Sequence, residues 1–303
     1  MNAPRWVTRS WRAFWFAPDS AHNLAAARII VGTHALWHVL SRDYAAVAGY
    51  PELWAVVPAS QRWRYLIFDA PLQLEYALQW CAIAALLCVV LGVHARVFCF
   101  VAAVLLYHLA PLETVFWGMQ QPMGRGMTFA APMLVILGSS RSADALRLWP
   151  RHAERAHPSW EYGWPRRLLL LLVAQIFLFA FYGKMTMTGP SWAAADNIRR
   201  WLLAFNLDDN WRFGQIGLWI AEHPLLCLGM GVAALVFQAT FVLALCSRKL
   251  QYFLIPLAVI FSLGTVFTLN IHVGEEWLVL LFVNWGWVLE RMPYAPARPA
   301  SAT

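Results

Sequence analysis

Basic and titratable side chains set inside otherwise apolar runs are the residues of this chain best placed to do chemistry. Arg28 interrupts the run from Leu24 to Gly32, and a charge at the centre of a membrane helix costs about 2.5–3.5 kcal/mol on the gentlest insertion scale. Two readings fit it. Its stem can lie along apolar surface while the guanidinium reaches the interface, or the guanidinium is a fixed cation for a carboxylate, a quinone oxygen or a lipid phosphate. His34 and His38 follow four residues apart, so both rings project from one helical face. That spacing suits half of a metal site, two adjacent proton carriers, or histidines hydrogen-bonded within a bundle. Lys184 closes an apolar run in Phe181-Tyr182-Gly183-Lys184. A lysine at a helix end snorkels; one facing a bundle interior loses solvation and becomes a neutral amine able to act as a base. His94 beside Arg96, His108 with Glu113 near a helix end, and His272 with Glu275 and Glu276 complete the set. The last group reads as a proton-handling cluster or as a solvated loop.

The elements that position these residues follow from composition. Of 303 residues, 60% are hydrophobic and 13% charged, which excludes an ordinary soluble domain, a disordered chain and a disulfide-stapled one. The expectation is an all-α, polytopic transmembrane helical bundle, since about 20 apolar residues in a helix cross a bilayer with every backbone group paired. Four runs are long enough outright: Leu72–Val93, Arg167–Gly183, Pro224–Cys246 and Leu250–Asn270. Leu24–Leu40, Arg96–Ala110, Gly126–Gly138 and Glu276–Leu289 are shorter or more polar. About eight spans result, with seven as the alternative.

Basic residues favour one set of connecting segments, so both termini are expected on the cytoplasmic side of a bacterial-type inner membrane. The net charge of +7 is then a matter of topology, with lipid and not nucleic acid as the partner. Residues 1–20 hold an interfacial amphipathic helix, with Arg5, Arg9 and Arg12 opposite Trp6, Trp11 and Trp15; residues 21–292 form one membrane domain, and 293–303 a short disordered tail. A cleavable signal peptide fits poorly. The five cysteines sit in apolar runs without a C-x-x-C, and no phosphate-binding loop or zinc motif is present.

The order of these features resembles the bacterial horizontally transferred transmembrane (HTTM) family, related to the membrane part of vitamin K-dependent gamma-carboxylase. The resemblance rests on Leu24 to Gly32 with Arg28 inside it, on Arg141-Ser142-Ala143-Asp144, on the stretch from Gln175 through Gly183-Lys184 to Trp192, and on His272 after a long apolar span. It implies a lysine that deprotonates a reduced quinone, and Lys184 stands in that position. Where carboxylases carry an Asn-His pair before a Gly, this chain has Pro122-Met123 before Gly124. The chain also ends soon after its last span, without the lumenal domain that receives a peptide, so a smaller quinone-like or acidic lipid-phase substrate is expected.

The leading expectation is therefore an enzyme or redox protein with a quinone as its cofactor or substrate. Lys184 is the base, Arg28 and Trp192 hold the cofactor, and His34, His38 and His272 carry protons; no metal is assigned. The competing expectation is a non-catalytic membrane subunit that holds a partner protein encoded nearby, with the polar residues serving helix packing. A transporter ranks third, because paired broken spans and inverted repeats are absent from the sequence.

Overall fold

A computed structural model describes residues 11–50, 71–117, 125–149, 157–206, 213–269 and 276–291. Among them the chain is all-helical, with a single isolated backbone pairing between Asp19 and Ser159. Five helices are long and apolar enough to cross a membrane: Leu72–Leu91, Ala95–Leu112, Trp160–Met187, Pro224–Leu245 and Arg248–Leu269. This makes the chain a multi-pass membrane protein by length and composition. The count of about eight is not reached on that criterion, and the three segments that fall short do so for different reasons.

The first is α1, Ala21–Leu40, capped by the Ser20 side chain, which accepts from His22 N–H. It is long enough to span, but Asn23, Arg28, His34 and His38 lower its hydropathy, and all four are buried. Protein, rather than lipid, surrounds this helix. It packs against α3 (Leu72–Leu91), α5 (Arg125–Ser139), α6 (Trp160–Met187), the 3-10 segment Glu276–Phe282 and α11 (Trp285–Leu289). Between it and α3 lies α2 (Tyr44–Ala48), which also touches α4 (Ala95–Trp117). The second short segment, α5, has 15 residues with Pro132 inside. In the third, Glu276–Leu289, a 3-10 segment gives way at Val283-Asn284 to the five residues of α11.

The second half of the molecule is built on α6. Its C-terminal end breaks at Gly189, where φ is +65°, and the 3-10 turn Gly189–Ala193 leads into the amphipathic helix α7 (Ala195–Asn206). That helix packs its apolar face, Ile198 and Leu202, against α8 (Gly214–Ala221) and α9 (Pro224–Thr240). Asn206 Nδ2 then donates to the Thr268 carbonyl at the end of α10 (Arg248–Leu269). The described parts of this stretch, 184–206 and 213–223, thus fold against the bundle.

At the other end, Asp19 and Ser159 exchange backbone hydrogen bonds of 3.0 Å each. Arg166 Nη1 donates to Asp19 Oδ2 at 2.9 Å, and Arg167 Nη1 donates to the Ala17 carbonyl at 3.1 Å. The segment after the helical stretch 11–15 is therefore fastened to the start of α6. Gly163 permits this approach, because a Cβ there would collide with the Ala17 carbonyl. Gly163→Ala is expected to lower the melting temperature and to expose the chain near Pro18 to limited proteolysis, with a loss of about 1–3 kcal/mol for overpacking. An unchanged proteolytic pattern would show that this segment is not held there. The proposed helix over residues 1–20 lies within the described residues only from residue 11 onward.

Exposed aromatic side chains at the Asp19 end include Trp11, Phe16, Trp149 and Trp160, residue types that favour a membrane–water interface.

Candidate functional site

The polar residues inside the bundle fall into three groups, set by which helices meet. The first surrounds Arg28, which is 0% exposed. Its side chain reaches toward the nearer end of α1, as a snorkelling arginine does, but it ends on protein. Nη1 donates to the Ser142 carbonyl at 3.1 Å and Nη2 to the Leu146 carbonyl. Gly92, the left-handed C-cap of α3 at φ 73°, passes so close that a Cβ there would sit 2.9 Å from Arg28 Nη1. The stretch Arg141–Asp144 forms the same loop: Arg141 pairs with Asp144 at 3.0 Å and with Glu161 at 2.9 Å, and Tyr162 donates to Asp144 at 2.8 Å. Arg28 thus clamps a loop, a partner that neither of its sequence readings included.

The second group lies at the far halves of α1, α3 and α4. His34 and His38 are buried, their rings in edge contact with centroids 4.7 Å apart. Gln79 on α3 donates to the Val39 and Arg42 carbonyls and accepts from Ala45 N–H, which fixes the end of α1 beside the first turns of α3. One turn before Gln79, Glu75 is 1% exposed and 3.0 Å from His108 Nε2 on α4, itself 4% exposed. A histidine and a carboxylate this deeply buried form a mutually dependent pair. In the sequence His108 stands with Glu113 near a helix end; the structure brings Glu75, 33 residues away, to His108, while the Glu113 side chain lies outside the described residues. Among the described residues no three His, Cys, Asp or Glu side chains come together as a metal site.

The third group holds Lys184. Its amine folds back along α6, donating to the Ala180 carbonyl at 3.4 Å and to Gln238 Oε1 at 3.0 Å. It lies over the Trp192 ring at 4.7 Å from the centroid. Gln238 is 5% exposed and sits fourteen residues into the span Pro224–Leu245, roughly 20 Å from its start by helical rise. The lysine therefore points toward the depth of a neighbouring span and away from the nearest helix end. Trp192 is placed by two further contacts: its carbonyl accepts from Asn197 Nδ2 at 2.7 Å, and the adjoining Ala193 backbone packs on Gly231, where a Cβ would meet the Ala193 carbonyl oxygen at 2.6 Å.

Lys184 and Trp192, 8 residues apart in sequence, do come together, and Gln238 joins them. Arg28 does not. Its loop is tied to Glu161 in the first turn of α6, and Lys184 lies 23 residues further on, roughly 35 Å by helical rise. His272 and the stretch Pro122-Met123-Gly124 lie outside the described residues. Sequence reasoning missed Gln238 and Glu75 because it weighed basic and histidine side chains first. The available signal was a hydrogen-bonding residue of any kind within an apolar run.

No family model, curated protein or solved structure matches the chain. What the molecule does must therefore be argued from these three groups.

Proposed function

We propose that this chain is a carboxylase-like membrane protein of HTTM type that acts on a quinone-like or small acidic molecule of the lipid phase, with Lys184 as the group that meets its oxygen. The observation that carries this reading is the 3.0 Å hydrogen bond from Lys184 Nζ to buried Gln238. It holds a half-buried amine against apolar helices, where an interaction with a negative oxygen is stronger than in water. Trp192 supplies a flat apolar wall beside the amine. Gln238 Oε1 accepts a hydrogen bond from the lysine whether it is charged or neutral, so it orients Nζ both to hold an oxyanion and, as a base, to take a hydroxyl proton. In this reading His34 and His38, whose rings are in contact on the helix that packs against α6, are the proton carriers.

The proposed orientation puts the Asp19 end in the cytoplasm of a bacterial-type cell. Its support is charge: Arg96, Arg141, Arg147, Arg166 and Arg167 all belong to that end, and Arg248 lies within electrostatic reach of Arg167.

The test is the quinone content of the purified full-length protein, measured by solvent extraction and mass spectrometry. Wild type is expected to retain a membrane quinone; Lys184→Gln retains at least about tenfold less with an unchanged melting temperature, and Gln238→Leu falls between them. Wild-type protein without quinone, or a Lys184→Gln variant that keeps it, overturns the proposal. The reading as a membrane subunit that holds a partner protein draws on Arg28, whose guanidinium is bonded to two internal carbonyls. It predicts that Lys184→Gln still complements a deletion strain.

A further inference from the structure

A cavity of about 800 Å³ opens at the Arg-rich end of the bundle, between the turn that joins α3 to α4, the 139–147 loop and the first turns of α6. Among the described residues its basic lining is Arg96, Arg141 and Arg147 with the imidazole of His94, set against the carboxylates of Asp144 and Glu161. Three guanidinium groups against two carboxylates leave one positive charge. The two carboxylates are turned onto Arg141, with contacts of 3.0 and 2.9 Å. Arg96 is exposed and uses Nε on the Ser140 carbonyl at 3.3 Å, and Arg147 uses Nη1 on the Ala143 carbonyl at 2.8 Å. Each guanidinium has five donors, so the single bond of exposed Arg96 leaves most of its fork for a ligand, and Arg147 adds its charge to the same wall. The first turn of α4, Ala95 to Val97, also lines the cavity and adds the partial positive charge of a long helix's N-terminus.

We infer that this cavity binds the phosphate headgroup of an anionic phospholipid. Charge alone suits any phosphate; the apolar surface beside it selects a lipid. Val97 lines the cavity, and Val97, Phe100, Val101 and Val104 form an exposed stripe running up one face of α4, at 60%, 43%, 40% and 58% exposure. Residues three, four and seven apart share one helical face, so acyl chains leaving a headgroup at Arg96 have a continuous track. Trp160 lines the same cavity, is half exposed and stands with the other exposed aromatic residues of the Asp19 end. Basic pockets at the Arg-rich side of helix bundles are suited to anionic headgroups for these electrostatic reasons. The loop clamped by Arg28 is one wall of the cavity, so a bound headgroup also braces the fold.

The experiment is native mass spectrometry of the full-length protein released from nanodiscs of phosphatidylglycerol or phosphatidylcholine, with a parallel titration of inorganic phosphate. Wild type is expected to retain one phosphatidylglycerol and at least about fivefold less phosphatidylcholine. Arg96→Gln, at an exposed position, should cut phosphatidylglycerol retention about tenfold with an unchanged melting temperature, and Val97→Asp should do the same by breaking the acyl track while leaving the arginines in place. Equal retention of the two lipids, or full retention by both variants, overturns the inference. Protection from thermal unfolding by inorganic phosphate equal to that by phosphatidylglycerol, and undiminished in Val97→Asp, would assign the cavity to free phosphate and overturn the lipid.

Discussion

Arg28→Gln is expected to lower the melting midpoint of the detergent-solubilised protein by about 5–10 °C, a loss of about 3 kcal/mol. The argument starts from the carbonyls. Ser142 and Leu146 each direct a backbone oxygen at the guanidinium, and a buried acceptor left unpaired forfeits about 1–3 kcal/mol. Leu146 adds to this, since its φ of 47° lies in the left-handed region that a leucine rarely adopts. The bond to Arg28 helps hold it there. Glutamine is too short to reach both carbonyls, and Arg28→Lys, with a point charge in place of a planar fork, should recover about half the loss. Intrinsic tryptophan fluorescence reads the midpoint, and limited proteolysis between residues 140 and 148 reads the loop. A glutamine variant as stable as wild type, with that loop still protected, would mean that Arg28 is free to serve a ligand after all.

The second large effect belongs to Glu75 and His108. His108→Leu alone is expected to cost about 3–5 kcal/mol, because it strands a carboxylate that is 1% exposed between α3 and α4. Glu75→Leu alone removes the carboxylate beside His108 and should cost less, since a neutral imidazole is cheaper to bury than a carboxylate. The double variant Glu75→Leu/His108→Leu is expected to be more stable than His108→Leu, because apolar pairs of similar volume replace buried ion pairs at little or no loss. A coupling energy of about 2 kcal/mol or more in the double-mutant cycle is the expected readout. Additive losses would show that the two side chains do not depend on each other.

Both effects illustrate what sequence carries and what it does not. Apolar runs of the right length marked four of the five helices able to cross a membrane, since hydropathy and backbone pairing depend on local composition alone; the fifth, Ala95–Leu112, was read as a shorter run. Segment α1 was harder, because its burial depends on five neighbours that its own letters do not name. Arg28 stood out as an expensive residue, yet its partners are two backbone carbonyls, and a carbonyl has no residue type to recognise. Glu75 was not singled out beside His108, since the register between α3 and α4 is fixed by the turn at Gly92 and by the packing of the two helices. Lys184 and Trp192 were legible together through their short separation and the HTTM resemblance. Gln238 was not, because a lone amide in an apolar run reads as tolerable until the helix carrying it is placed against the lysine.

The central claim is that the Lys184 amine, held by Gln238 over Trp192, receives an oxygen-bearing molecule from the lipid phase, while Arg28 at the other end serves the fold. The most direct measurement is the thermal shift that a short-chain quinone induces in wild type and in Lys184→Gln at equal concentrations. The expected result is a clear stabilisation of wild type, as ligand binding to the folded state requires, and its loss in Lys184→Gln, whose ligand-free midpoint matches wild type. An equal shift in both proteins, or none in wild type, would contradict the claim.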